Sequence, residues 1–310
     1  MPEQKRINTD DFLRMFDFRM DELPERFVKE ISQINTKYRE ANLQEFEEYV
    51  LYVLNLINSP GITRTSEENL EAFEKGWQEN LESIASGKIQ LESLKPKYFR
   101  PSKFLRYDNK LIVSDNLNLE YELFILARYL LFSRYLSQFE DIYEFGCGSC
   151  QNLVMLAEIF PEKRLCGLDW TRASREIARM LAESRNISIE GIVFDMMNPS
   201  PDVVLKPHSA VFTIHSLEQL GEQHHKFLSF LMEAEPDIVF HYEPILEFYK
   251  PDNLLDYLAI LYSQKRNYLS GFWTALCKLR DENKIEIIES RRPLLGGIIH
   301  EASLIAWRPL

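Results

Sequence analysis

Long apolar runs are missing from this chain. In its 310 residues nothing approaches the roughly 20 uninterrupted apolar positions that a bilayer-spanning helix needs, so no membrane partner is expected. No apolar core follows the opening Met-Pro-Glu-Gln-Lys-Arg, so no secretory signal is read there and the expected location is the cytoplasm. Basic charge is scarce too: 36 Lys and Arg stand against 48 Asp and Glu, a net charge of −12. A broad nucleic-acid surface needs a basic footprint, so no nucleic acid is expected as partner. Cysteine is limited to Cys147, Cys150, Cys166 and Cys277. Cys147 and Cys150 have C-x-x-C spacing, but no second cysteine pair completes a zinc site, and both read as small loop residues. No internal repeat or low-complexity tract occurs.

What is present suits a sizeable folded core, with 45% hydrophobic and 27% charged residues. The first third reads as helical. Asn42 is placed to cap a helix with Leu43, Phe46, Val50, Val53 and Ile57 on one face, ended by Asn58-Ser59-Pro60-Gly61. Thr65 and Glu68 have capping-box spacing ahead of Leu70, Phe73, Trp77, Leu81 and Ile84. Both stripes read as packing faces. Residues 94–115 are basic and aromatic, and Tyr107-Asp108-Asn109-Lys110 reads as the turn of a hairpin. That stretch is either a connector or a wall for a substrate. The division expected is 1–115, a helical cap serving substrate binding or dimerisation, and 116–310, a ligand-binding domain.

After a long helix pattern from Leu119, strand and helix patterns alternate. Strands are expected at 142–145, 164–168, 189–194, 210–214, 238–241, 285–289 and 303–307. Such alternation favours an α/β, doubly wound parallel sheet. Residues 290–301 carry Pro293, Gly296 and Gly297 and no helix pattern, so the last two strands should pair antiparallel.

The most informative stretch is Ile142-Tyr-Glu-Phe-Gly-Cys-Gly-Ser-Cys-Gln-Asn152. It reads as a buried strand running into a glycine loop and then a helix, a unit that brings bare backbone and helix N–H groups to a ligand. Glu144, Gly146 and Gly148 form a Glu-x-Gly-x-Gly pattern similar to the first motif of class I S-adenosylmethionine (SAM) methyltransferases. The dinucleotide fingerprint fits less well, because Gln151 stands where its third glycine would be. Cys150 stands where many members of the family have glycine.

The resemblance covers about residues 140–308 and implies a Rossmann-like seven-stranded sheet whose last strand is antiparallel. It further implies SAM as cofactor, leaving S-adenosylhomocysteine (SAH). Glu144, Gly146 and Gly148 would take the methionine end. Asp169, closing the second strand, would take the ribose, and Asp195, after the third, the adenine, with Trp170 and Met196 beside them. His215 follows the fourth strand at the same crevice and is the first candidate for a base. His241 and Glu243, after the fifth strand, are further catalytic candidates. Tyr98, Arg100, Arg106, Arg266 and Tyr268 are expected to contact the acceptor. His215, His241 and Glu243 could together gather a divalent metal, but no metal is assigned. The pair His224-His225 reads as solvated helix surface. The expected activity is O-methylation of a small molecule or glycan, with a homodimer as one use of the N-terminal helices. Alternatives are a protein or N-methyltransferase, although no Asn/Asp-Pro-Pro-aromatic tetrad follows the fourth strand, and a non-enzymatic partner-binding protein of the same fold.

Overall fold

The computed structural model describes residues 4–64, 66–86, 91–96 and 99–310. A small sheet is built by β1 (Lys5–Arg6), β2 (Lys37–Glu40), β3 (Phe104–Tyr107) and β4 (Lys110–Val113). The large sheet takes β5 (Asp141–Phe145), β6 (Arg164–Asp169), β7 (Ile189–Val193), β8 (Ser209–Ile214), β9 (Ile238–Glu243) and β10 (Ile285–Arg291). The short β11 (Leu295–Gly296) returns to the small sheet, and β12 (Ser303–Pro309) ends the large one.

The large sheet has seven strands in the order β10-β12-β9-β8-β5-β6-β7. β5 pairs parallel with both β6 and β8. From β5 the chain builds outward on one side through β6 and β7, then on the other through β8 and β9. That reversal is a topological switch point, and a crevice opens at the carboxyl ends of the strands there. β12 pairs antiparallel with both β9 and β10, as the helix-free stretch before it leads one to expect.

Both faces of this sheet are buried, and pleat alternation sorts its residues between two cores. Ile142, Phe212, Phe240 and Ala306 face the long helix Leu119–Leu136 and the N-terminal helices. Tyr143, Val211, Val239 and Trp307 face the opposite core, together with Phe227, Leu231 and Leu276. Cys166 is buried in that second core.

The N-terminal region contains the expected helix Leu43–Ile57, entered through a capping box. Asn42 Oδ1 accepts from the Glu45 N–H at 3.0 Å, and Glu45 returns the bond to the Asn42 N–H at 3.0 Å. The next helix runs Ser66–Ala85, while its expected cap, Thr65, lies outside the described residues. The hairpin is present as β3 and β4, with Tyr107 opposite Lys110. Asp108 and Asn109 at its tip have φ of 51° and 60°, the left-handed pair that matches strand twist.

The region before 115 is not purely helical, because β1 to β4 form a sheet. β11 completes that sheet by pairing with β3, Leu295 opposite Tyr107 and Gly296 opposite Arg106. The boundary expected near residue 115 is therefore crossed by hydrogen bonds from the far end of the chain. Sequence periodicity registers helix faces but not pairing partners almost 200 residues away.

Candidate functional site

The loop after β5 is shaped by close approach. Gly146 has φ +77°, and a Cβ there would lie 2.2 Å from Ser216 Cβ. Gly148 has φ +51°, and a Cβ there would lie 2.6 Å from the Trp77 ring. Cys150 adopts φ 60° at the N-cap of helix Gln151–Ile159, a left-handed position that glycine would take without strain. Its Sγ lies 3.9 Å from that of Cys147, and both are buried free thiols.

Asp169, at the end of β6, fastens this loop. One of its carboxylate oxygens accepts from the Gly148 N–H at 2.9 Å. The other accepts from the Thr171 N–H at 2.9 Å and hydroxyl at 2.7 Å. Burial raises the carboxyl, and these donors oppose it. Glu144 is 1% exposed, and only one of its oxygens is engaged, by Asn152 Nδ2 at 2.5 Å. Its Oε2 is enclosed without a hydrogen-bond partner. Burial pushes this carboxyl up to about 8. A buried half-satisfied carboxyl at the mouth of a glycine loop suits a cationic ligand group.

One cavity is lined by Glu144, Gly146, Gly148, Asp169, Trp170, Asp195 and Met196, the seven residues expected at the cofactor, together with His215, the candidate base at the same crevice. Asp195 is turned partly onto its own loop, accepting from the Met197 N–H at 2.8 Å. The sequence reading missed Phe73, Trp77 and Pro96, which the N-terminal region contributes, and the buried Arg128. The stripe containing Phe73 and Trp77 was visible, but stripe periodicity does not separate a core contact from a cavity wall.

A second cavity of about 960 Å³ adjoins the first. The two share Phe73, Trp77, His215 and Gln219. His215 sits on the turn after β8 with φ 52°. Its Nδ1 lies 3.7 Å from Glu218 Oε2, and its Nε2 is enclosed with no hydrogen-bond partner. His300 Nε2 lies 3.5 Å from the same Glu218 oxygen. Burial alone would raise the Glu218 carboxyl, but the two imidazoles bring it down to about 2. These three side chains have ligating atoms within 4.8 Å of one another and all face the larger cavity. Neither Glu218 nor His300 was singled out from the sequence. The only local signal was the His-x-x-Glu spacing from 215 to 218, and His300 lies in a stretch without periodicity.

His241 and Glu243 do not join His215. His241 is fully buried, with Nε2 accepting from Trp307 Nε1 at 3.0 Å and Nδ1 facing Thr213 Oγ1 at 2.9 Å. Burial lowers its pKa to about 3, so it is a neutral core residue rather than a base. Glu243 is fully buried and accepts from the Ser216 N–H at 3.0 Å, which holds the His215 turn in place. The metal set weighed from the sequence, His215 with His241 and Glu243, is therefore not assembled.

Among the residues expected at the acceptor, Arg100, Arg266 and Tyr268 line the larger cavity. Tyr98 lies outside the described residues. Arg106 is a correction: it is fully buried and bonds Asp256, Glu301 at 3.1 Å and the Ile299 carbonyl at 2.7 Å. Arg292 completes that internal network on Asp256 and Glu301. His224 also departs from expectation. It is 4% exposed, with Nδ1 3.3 Å from the Gly221 carbonyl, while His225 is exposed. Among the described residues no helix is long and apolar enough to cross a membrane.

No family model matches the sequence, and no curated protein matches it. Solved structures resemble it in fold. The [4+2]-cyclase SpnF is 14% identical, with 80% of this chain and 97% of that one covered and a TM-score of 0.48. Geranyl diphosphate C-methyltransferase from Streptomyces coelicolor A3(2), solved with Mg2+, geranyl diphosphate and SAH, is 15% identical over 62% of this chain and 84% of that one, TM-score 0.44. An O-methyltransferase from a trans-AT PKS multienzyme of Brevibacillus brevis, with SAH bound, is 12% identical over 59% and 71%, TM-score 0.43. The likeness concerns an α/β fold on a mostly parallel seven-stranded sheet. Chemistry rests on this chain's own residues.

Proposed function

We propose that this chain is a SAM-dependent methyltransferase acting on an oxygen of a small molecule or glycan, with His215 as the base. The carrying observation is that His215 lines both cavities, the one built by the glycine loop and the larger one beside it.

The residues present suit SAM. Glu144 offers its unpartnered oxygen to the ammonium of the methionine end, and Gly146 and Gly148 line the same cavity with bare backbone. Asp169 takes the ribose hydroxyls, and Asp195 the adenine amino group, with Trp170 and Met196 lining the ring's flanks. When bound, SAM supplies an electrophilic methyl group on a sulfonium.

The chain's own work is positioning, exclusion of water and removal of a proton. Phe73 and Trp77 wall the junction of the two cavities. Holding the reactants in line there supplies roughly 7–11 kcal/mol of the barrier. His215 Nε2 is free of protein partners and takes the hydroxyl proton, while the Glu218 carboxylate beside Nδ1 stabilises the imidazolium formed.

Calorimetric titration with SAM and SAH, on the native chain and Asp169→Ala, tests the cofactor part. Binding of both at micromolar Kd that weakens by about 10–100-fold in the variant supports it, the range expected for a lost charged hydrogen bond. The absence of heat with either ligand removes the proposal. Transfer of labelled methyl to extracted metabolites, digested so that oxygen and nitrogen products separate, tests the acceptor.

A further inference from the structure

We infer that the larger cavity is built for an anionic acceptor, one carrying a carboxylate or phosphate on a planar, largely apolar body. This deepens the methyltransferase reading and rests on it for the word acceptor. The anion site itself does not depend on SAM.

The charge balance of the cavity carries the inference. Arginines elsewhere in this acidic chain are commonly met by carboxylates. Arg164 pairs with Glu140 and Asp141, Arg179 with Glu176 and Glu183, and Arg106 and Arg292 share Asp256 and Glu301. Four cationic side chains line the cavity: Arg64, Arg100, Lys103 and Arg266. Among the described residues none of them forms an ion pair.

Three acids line the same cavity, Glu48, Glu120 and Glu218, against these four cations. Glu218 is taken by His215 and His300. Glu48 keeps its charge at an exposed position, where it accepts from the neutral Gln44 Nε2 at 3.1 Å. Glu120 is carried up to about 7 by burial, which favours its uncharged form.

Arg266 is the anchor. It closes the helix Leu254–Arg266, and its Nη1 donates to the Ile62 carbonyl at 2.9 Å. Its Nε is enclosed with no hydrogen-bond partner. The guanidinium lies 5.1 Å from the centre of the Tyr268 ring. Thr63 donates to the Lys265 carbonyl at 2.7 Å, which fixes the backbone just before Arg64 against the same helix end. A partly enclosed guanidinium with an idle N–H is costly unless an anion meets it, and its fork suits the two oxygens of a carboxylate or phosphate. The neighbouring walls are aromatic. Tyr262 and Tyr268 meet edge to face at 6.0 Å, and Phe99, Phe104 and Phe124 also line the space. Flat rings against such walls give the preference for a planar body.

The test uses the full chain and four probes that share one phenyl ring: benzoate, phenyl phosphate, phenol and benzylamine. Binding is read by calorimetry, and SAH is titrated separately on every variant. Saturable binding of benzoate or phenyl phosphate, with phenol at least about tenfold weaker and benzylamine undetectable, supports the site. The preferred anion then tells carboxylate from phosphate. Arg266→Met should weaken the anion about 10–100-fold, and Arg266→Lys should restore part of the loss. Arg64→Ala, at an exposed position, should weaken it by a smaller factor without touching the fold. Phenol binding as tightly as benzoate, no saturable binding of either anion, or indifference to Arg266→Met overturns the inference. Anion binding without SAH binding would instead remove the cofactor reading and leave the anion site standing.

Discussion

The backbone N–H of Gly148 donates to the Asp169 carboxylate across 2.9 Å, joining the end of β6 to the loop after β5. Two strand ends are thereby locked at the topological switch point, and the cavity wall is set before any ligand arrives. Trp77 presses on the same glycine from the N-terminal region.

Gly148→Ala should lose both fit and conformation. Its φ of +51° costs an L-residue about 1–2 kcal/mol, and the new methyl meets Trp77 at 2.6 Å. Chemical unfolding should show destabilisation of about 2–4 kcal/mol, and SAH binding should fall with it. Adding Trp77→Ala should recover the steric part only. A double-mutant cycle with zero coupling would show that Trp77 does not rest on the loop.

Glu144 should make stability depend on pH. Burial raises its carboxyl from 4.5 to about 8, so the folded chain keeps a proton that the unfolded chain has released. The stability this group contributes is fully present below about pH 4.5, declines as pH rises toward 8, and is level beyond. Glu120 and Glu243, each raised to about 7 by burial, add slope of the same sign. Glu144→Gln should remove its share, about 3–4 kcal/mol between pH 5 and 8, in urea midpoints. Cofactor binding near neutral pH should also release a proton in the native chain but not in the variant. Calorimetry in two buffers of different ionisation enthalpy reads this directly.

His215→Asn keeps a residue tolerant of the left-handed φ of 52° while removing the base. Once an acceptor is known, kcat should fall by roughly 10²–10⁴ with SAH affinity changed only a few-fold. Glu218→Gln should give a smaller fall in kcat. An unchanged kcat in His215→Asn would remove histidine from the reaction.

Arg106→Met should unfold the chain more readily rather than weaken acceptor binding. It leaves Asp256 and Glu301 buried with Arg292 as their remaining guanidinium. Breaking such a buried network costs about 3–5 kcal/mol. A raised KM with an unchanged unfolding midpoint would return Arg106 to the acceptor wall.

The residues that the sequence exposed share one property: their roles are set by neighbours a few positions away. Gly146 and Gly148 follow a buried strand directly, Asp169 closes the next strand, and the Asn42 cap is answered three residues on by Glu45. Strand ends and glycine turns announce themselves locally, so the residues that line the first cavity from the strand ends were legible together with the order of elements. Residues whose roles were misjudged have distant partners. Arg106 meets acids 150 and 195 residues further along, and the ring of His241 is fixed by Trp307. An arginine in an aromatic stretch reads the same whether it faces a cavity or a buried carboxylate, because only the desolvated partner distinguishes them.

The sequence by itself determined the alternation of strands and helices, the antiparallel return at the end, and the loop that bares backbone beside Glu144. Hydrophobic period, glycine and caps are local causes with local effects. Tertiary structure alone decided that Trp77 covers Gly148, that Glu218 stands between His215 and His300, and that four cations without carboxylate partners line one space. Those relations depend on burial and on charge meeting charge across the fold, which no window along the chain contains.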